Sequence, residues 1–136
     1  MDRSPVSARI LIVEDEPDIR ELLHTVLSLA GYATAQAENG RVGLQRMLEF
    51  RPDLVLLDLE MPDIDGLGFL QGKSKQLEFR HTPVIVLSAK SRTPDVMQAI
   101  NMGADNYIAK PFDLCVVLEN VQRLARPRPG GTVGLT

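Results

Sequence analysis

Ile10-Leu11-Ile12-Val13-Glu14-Asp15 is an unbroken apolar run that ends in two acids, and its reading decides the fold. Consecutive apolar residues with no polar alternation suit a strand covered on both faces, the habit of parallel sheets. The pattern recurs along the chain. Leu54-Val55-Leu56-Leu57 runs into Asp58, Val84-Ile85-Val86-Leu87 into Ser88, and the weaker Tyr107-Ile108-Ala109 into Lys110. Set side by side and parallel, these strands gather three acids, a hydroxyl and an ammonium at one edge of a sheet. Such a set can hold a divalent cation and a phosphoryl group together.

Helical spacing fills the gaps between the runs. Ile19, Leu22, Leu23, Val26, Leu27 and Ala30 line one helix face, and Gly31 is placed to end it. Tyr32 to Ala37 alternates Thr34 and Gln36 with alanines, as a half-exposed edge strand does. Asn39-Gly40 opens a second helix that Pro52 closes, and Asp65 is a candidate cap for a third, weakened by Gly68 and Gly72. Thr93-Pro94-Asp95 starts a fourth helix that Gly103 stops, Asp105 to Ala109 forms a fifth strand, and Asp113 caps a last helix. This alternation predicts an α/β fold over residues 9–125, a five-stranded parallel sheet with helices on both faces. The two mixed strands belong at the edges, which is consistent with the flavodoxin-like order 2-1-3-4-5, a common arrangement of doubly wound sheets. Residues 1–8 read as a flexible lead, and 126–136, rich in Pro and Gly, as a tail or linker.

Composition narrows the class. With 136 residues, 44% of them hydrophobic and 24% charged, the chain has ordinary globular usage. A net charge of −3 gives no electrostatic footprint for nucleic acid, and no apolar stretch approaches the length of a membrane span. The first residues lack the apolar core of a secretory signal. A lone Cys115 excludes an internal disulfide and fits a reducing cytoplasm, so a soluble cytoplasmic domain is expected. His24 and His81 read as surface residues, Cys115 as packing, and Met97 and Met102 as core fillers.

In open α/β sheets the ligand crevice lies beyond the carboxyl ends of the strands, where the winding reverses. Here that point falls between the first and third strands and joins Glu14, Asp15 and Asp58. Two like charges ~4 Å apart at an effective dielectric of ~20 repel by about 4 kcal/mol, so three acids call for a cation. Carboxylates, water and phosphate oxygens suit Mg²⁺ rather than zinc. Each residue has a bland alternative: Asp15 as a helix cap, Glu14 as a solvated strand end, Asp58 and Ser88 bonded to nearby backbone, Lys110 in solvent. Their recurrence at one end of four strands favours the joint reading.

The acidic pair, Asp58, Ser88-Ala89 and Lys110-Pro111 resemble the receiver domain of two-component response regulators. Pro62, Asp65-Gly66 and Tyr107 fit the same pattern, and the resemblance spans residues 9–125. It implies that Asp58 accepts a phosphoryl group from a phosphohistidine on a sensor histidine kinase or phosphotransfer protein. It implies that Asp15, Asp58 and the backbone carbonyl of Glu60 bind Mg²⁺, with Glu14 reaching the metal through water. Lys110 and Ser88 would hold phosphoryl oxygens, and Lys110-Pro111 is a cis bond in the family. Inward movement of Ser88 would let Tyr107 turn from exposed to buried, remodelling the surface of the fourth helix, fifth strand and fifth helix. That surface is the expected face for a downstream effector or output domain, or for a second copy of the chain. No direct contact with nucleic acid or membrane is expected. Beyond catalysing its own phosphorylation and dephosphorylation, the chain would not be an enzyme. One rival is a haloacid dehalogenase-like phosphohydrolase, which needs an aspartate where Glu60 stands and a substrate cap. Another is a receiver that docks partners without phosphorylation.

Overall fold

The computed structural model describes residues 7–60, 66–89 and 93–127. Strands β1 (Arg9–Val13), β2 (Ala33–Ala37), β3 (Leu54–Leu57), β4 (Val84–Ser88) and β5 (Asn106–Ala109) alternate with helices. These are α1 (Pro17–Leu29), α2 (Gly40–Phe50), α3 (Gly66–Ser74), α4 (Thr93–Asn101) and α5 (Leu114–Leu124), with a 3₁₀ turn at Leu77–Phe79. All strands are parallel in the order β2-β1-β3-β4-β5. Tyr32 and Asp105, expected in the second and fifth strands, lie just outside them, whereas Ser88 completes β4.

The central strands face two cores by strict alternation. Leu11, Val13, Val55, Leu57, Val84 and Val86 point to one side, where Met47 of α2, Phe69 and Leu70 of α3 and Ala99 of α4 cover them. Ile10, Ile12, Leu54, Leu56, Ile85 and Leu87 point to the other, under Leu23 and Leu27 of α1 and Val117 and Val121 of α5. A strand buried on both faces has no polar side to display, which explains the unbroken apolar runs.

Local chemistry sets the helix ends. The Asn39 side chain accepts from the Val42 amide at 2.8 Å, and Asp113 accepts from the Cys115 amide at 2.7 Å. Arg51 rather than Pro52 ends α2, in a left-handed conformation with φ 54°. Its guanidinium pairs with Glu78 and lies 5.9 Å from the centre of the Phe79 ring, contacts that offset the backbone strain. The candidate cap Asp65 falls outside the described residues. α3 runs through both internal glycines, and Gly72 has a packing role: a Cβ there would lie 2.8 Å from a methyl of Leu44 on α2.

Three expectations change. Cys115 is exposed rather than packed, because it sits on the outward face of the first turn of α5. Met97 is 50% exposed on α4, while Met102 does pack against the core beneath that helix. His24 is half-buried, its Nδ1 2.5 Å from the Thr34 hydroxyl of the edge strand β2.

Candidate functional site

Strand register builds the site. Val13 pairs with Leu57, so the residues after β1 and β3 emerge side by side. The Asp58 amide donates to the Val13 carbonyl at 3.0 Å, and the Glu14 amide to the Ala37 carbonyl at 3.0 Å. Glu14, Asp15 and Asp58 each offer a carboxylate oxygen within 4.8 Å of the others. Asp15 does not cap α1, whose N-cap is Glu16 with no side-chain cap bond, followed by Pro17. With the cap reading gone, the half-buried Asp15 carboxylate is available to a ligand.

Asp58 and Glu14 are only 3% and 2% exposed. One Asp58 oxygen accepts from the Glu60 amide at 3.0 Å, and the other lies 3.4 Å from Lys110 Nζ. The lysine is closer to Glu14, at 2.8 Å from Oε1, and Glu16 stands 3.6 Å away on the solvent side. The Lys110 amide donates to the Ser88 carbonyl at 3.0 Å, which ties the ends of β4 and β5 together, and Ser88 is fully buried. The Lys110-Pro111 bond is cis.

Electrostatics follow from burial. Desolvation pushes the Asp58 carboxyl up to about 7 from 3.8, with Glu14 adding to the rise and the Glu60 amide and Lys110 opposing it. Burial alone would lower the Lys110 ammonium, but Glu14 and Asp58 beside it hold it above the usual lysine range. Among the described residues the pocket therefore has more negative charge than Lys110 can balance. An all-oxygen donor set with this surplus fits a hard divalent cation such as Mg²⁺.

Gly66 keeps the pocket compact. A Cβ there would stand 2.5 Å from Leu59 Cα and 2.6 Å from the Asp58 carbonyl oxygen, both backbone atoms with little room to yield. Its amide donates to the Leu59 carbonyl at 3.2 Å, so α3 begins against the turn that carries Asp58. Pro62 lies outside the described residues, and Ala89 and Pro111 are exposed. The Tyr107 ring packs against the core cluster with its hydroxyl oxygen buried, an inward position. Glu60 exposes its side chain.

Two neighbours escaped the sequence reading. Arg20 Nη1 donates to the Glu14 carbonyl at 2.8 Å and braces the acidic turn from the first turns of α1. Glu16 extends the acidic pair towards the lysine. The signal for both is a third acid, then a cation four residues later on the following helix.

The family model for the response regulator receiver domain matches residues 10–122, and the chain belongs to that family. It is 40% identical over 115 residues to the regulatory protein AtoC of Escherichia coli, covering 85% of this chain and 24% of that protein. It is 37% identical over 118 residues to the DNA-binding dual master transcriptional regulator RpaA of Synechocystis, covering 87% of this chain and 49% of RpaA. The chain thus spans about a quarter to a half of these relatives. Among solved structures, Vibrio cholerae chemotaxis protein CheY4 superposes with a TM-score of 0.83 at 28% identity, covering 88% of this chain and 99% of CheY4. The receiver domain of the sensor histidine kinase PA1611 from Pseudomonas aeruginosa gives 0.80 at 27% identity, covering 88% and 98%, and carries a magnesium ion in its active site cleft. Receiver domains serve phosphorylation-based signalling with histidine kinases and output domains, and they bind Mg²⁺ at an acidic pocket. No helix of the described residues is long and apolar enough to cross a membrane.

Proposed function

We propose that this chain is a signalling switch in which Asp58 accepts a phosphoryl group from a phosphohistidine of a sensor kinase or phosphotransfer protein. One observation carries the reading: the Asp58 carboxylate is nearly buried, within 4.8 Å of two further acids and 3.4 Å from Lys110. An Asp58 oxygen attacks phosphorus, the P–N bond to the imidazole breaks, and the leaving imidazole takes up a proton. Phosphoryl transfer of this kind needs position and charge more than a general base.

Asp15, Asp58 and the Glu60 carbonyl are the residues to hold Mg²⁺, with Glu14 reaching it through water. Bound there, the cation supplies charge neutralisation for carboxylate and phosphoryl oxygens. Lys110 moves from Glu14 and Asp58 towards the new phosphoryl oxygens, and Ser88 donates a hydrogen bond to one of them. The aspartyl phosphate, with a charge of about −2 in place of the carboxylate's single one, draws the β4 end inward and favours the buried position of Tyr107. The surface of α4, β5 and α5 then changes for an output domain, an effector or a second copy of the chain.

Acetyl phosphate with Mg²⁺ tests the reading. Intact mass should show one phosphoryl adduct on the wild type and none on Asp58→Ala. An adduct that persists in Asp58→Ala, or a wild type that takes none from acetyl phosphate or from phosphorylated kinase, overturns it.

A further inference from the structure

Lys73 is a buried cation with little to satisfy it. It stands on the inward face of α3, at helical spacing from Gly66, Phe69 and Leu70, and is 5% exposed. Lysines are almost never this buried unless paired, because desolvating an ammonium is costly. An ammonium has three donors. Among the described residues its one acceptor is the Arg80 carbonyl at 3.4 Å, beyond the usual range of a sound hydrogen bond, and no carboxylate forms an ion pair with it. Asp105 attracts it from a distance but has one carboxylate oxygen engaged with the Val84 amide at 2.9 Å. Burial holds the Lys73 ammonium below the usual lysine range, with Asp105 pulling the other way.

Beside Lys73 lies an opening of about 320 Å³ between the end of α3, the segment at Arg80 and the end of α4. Gln71, Ser74, Arg80 and Asn101 add polar and cationic groups to a lining that includes Leu70 and Met102, and no acid is among its described lining residues. The volume is near the lower limit of ligand pockets, roughly 300 Å³, so a small molecule fits. A second opening of about 300 Å³ touches Lys73 from the α2 side, but Leu44, Met47 and Leu48 make it apolar. The opening at Arg80 sits where α4 ends and β5 has yet to begin, at the pole of the sheet opposite Asp58.

We propose that this pocket binds a small oxyanion, a carboxylate or a phosphate ester, with Lys73 as its buried anchor and Arg80 at the rim. The anion supplies the acceptors that the ammonium lacks, and the remaining lining groups donate to its other oxygens. Because the lining joins α3 to the last turn of α4, occupancy clamps those two helices together.

The test uses the whole chain, labelled with ¹⁵N and titrated with inorganic phosphate and, separately, with acetate at constant ionic strength. At least one should give saturating amide shifts at residues 71–74, 80 and 101–103, and the tighter of the two identifies the ligand chemistry. Lys73→Met, which keeps most of the side chain's length and removes its charge, should weaken that binding about tenfold or more. Arg80→Gln, an exposed change with small risk to the fold, should weaken it several-fold. Phosphate shifts at Asp58, Ser88 and Lys110 report the other pocket and should survive both substitutions. Shifts that rise linearly with both anions, that persist in Lys73→Met, or that appear only around Asp58 overturn the proposal and leave water as the occupant.

Discussion

Asp58→Asn should make the metal-free protein more stable at neutral and alkaline pH, although it removes the residue on which function turns. The carboxyl rises from 3.8 to about 7 on folding. In the window between those values the folded chain binds more protons at this site than the unfolded chain. Stability therefore falls as pH increases through the window, with the full cost present above it and none below. At about 1.4 kcal/mol per pH unit, the rise corresponds to about 4 kcal/mol. Asparagine has nearly the same shape, keeps an acceptor for the Glu60 amide and leaves the Glu14–Lys110 pair at 2.8 Å intact.

Urea unfolding with a chelator present, from pH 4 to pH 8.5, measures the difference between the two proteins; groups remote from the pocket cancel in it, and Glu14 and Lys110 contribute with Asp58. The variant should gain on the wild type across the window, to a difference on the order of 4 kcal/mol at the alkaline end. Saturating Mg²⁺ should shrink the gap, because the wild type gains binding energy that the variant loses in part. A difference that is flat with pH, or a wild type that is the more stable at pH 8, would falsify the claim that Asp58 is desolvated and crowded.

Lys110→Met should destabilise by about 3 kcal/mol or more at pH 8, since it strips the buried Glu14 of its cation, and Glu14→Gln in the same chain should restore most of the loss; chemical denaturation of the double-mutant cycle measures the coupling. Gly66→Ala should cost about 1–3 kcal/mol and loosen Mg²⁺ binding, as its Cβ displaces the turn that carries Asp58, with calorimetry reading the affinity. Asn39→Ala should cost about 1 kcal/mol with no change in metal binding, a control that separates general stability from the site.

The sheet was legible because double burial leaves a coarse mark: a strand with a core on each side cannot carry a polar residue until it ends. For that reason the first polar residues after β1 and β3, Glu14 and Asp58, coincide with the crevice, and the first polar residue of β4 is its last, Ser88. The pairing inside the crevice was not legible in this way. Lys110 and Glu14 lie 96 positions apart, and no local pattern states that the lysine sits closer to Glu14 than to Asp58. Both acids are almost without access to water, so depth does not separate them, and only the fold decides which of the two the ammonium meets at the shorter distance. The edges were less certain than the centre, as Tyr32 and Asp105 illustrate, because half-exposed strands tolerate polar ends.

Lys73 exposes a conflict between two rules that usually agree. Lys73 shares the inward face of α3 with Phe69 and Leu70, whereas its side-chain type alone places a lysine in solvent. The structure buries it, on a helix whose Gly66 approaches the Asp58 turn closely and whose Gly72 approaches Leu44 of α2. Gly66 at the start of α3 and Lys73 in its last turn therefore lie on one nine-residue helix, and Gly66→Ala should shift the amide resonances of residues 71–74 as well as those around Asp58.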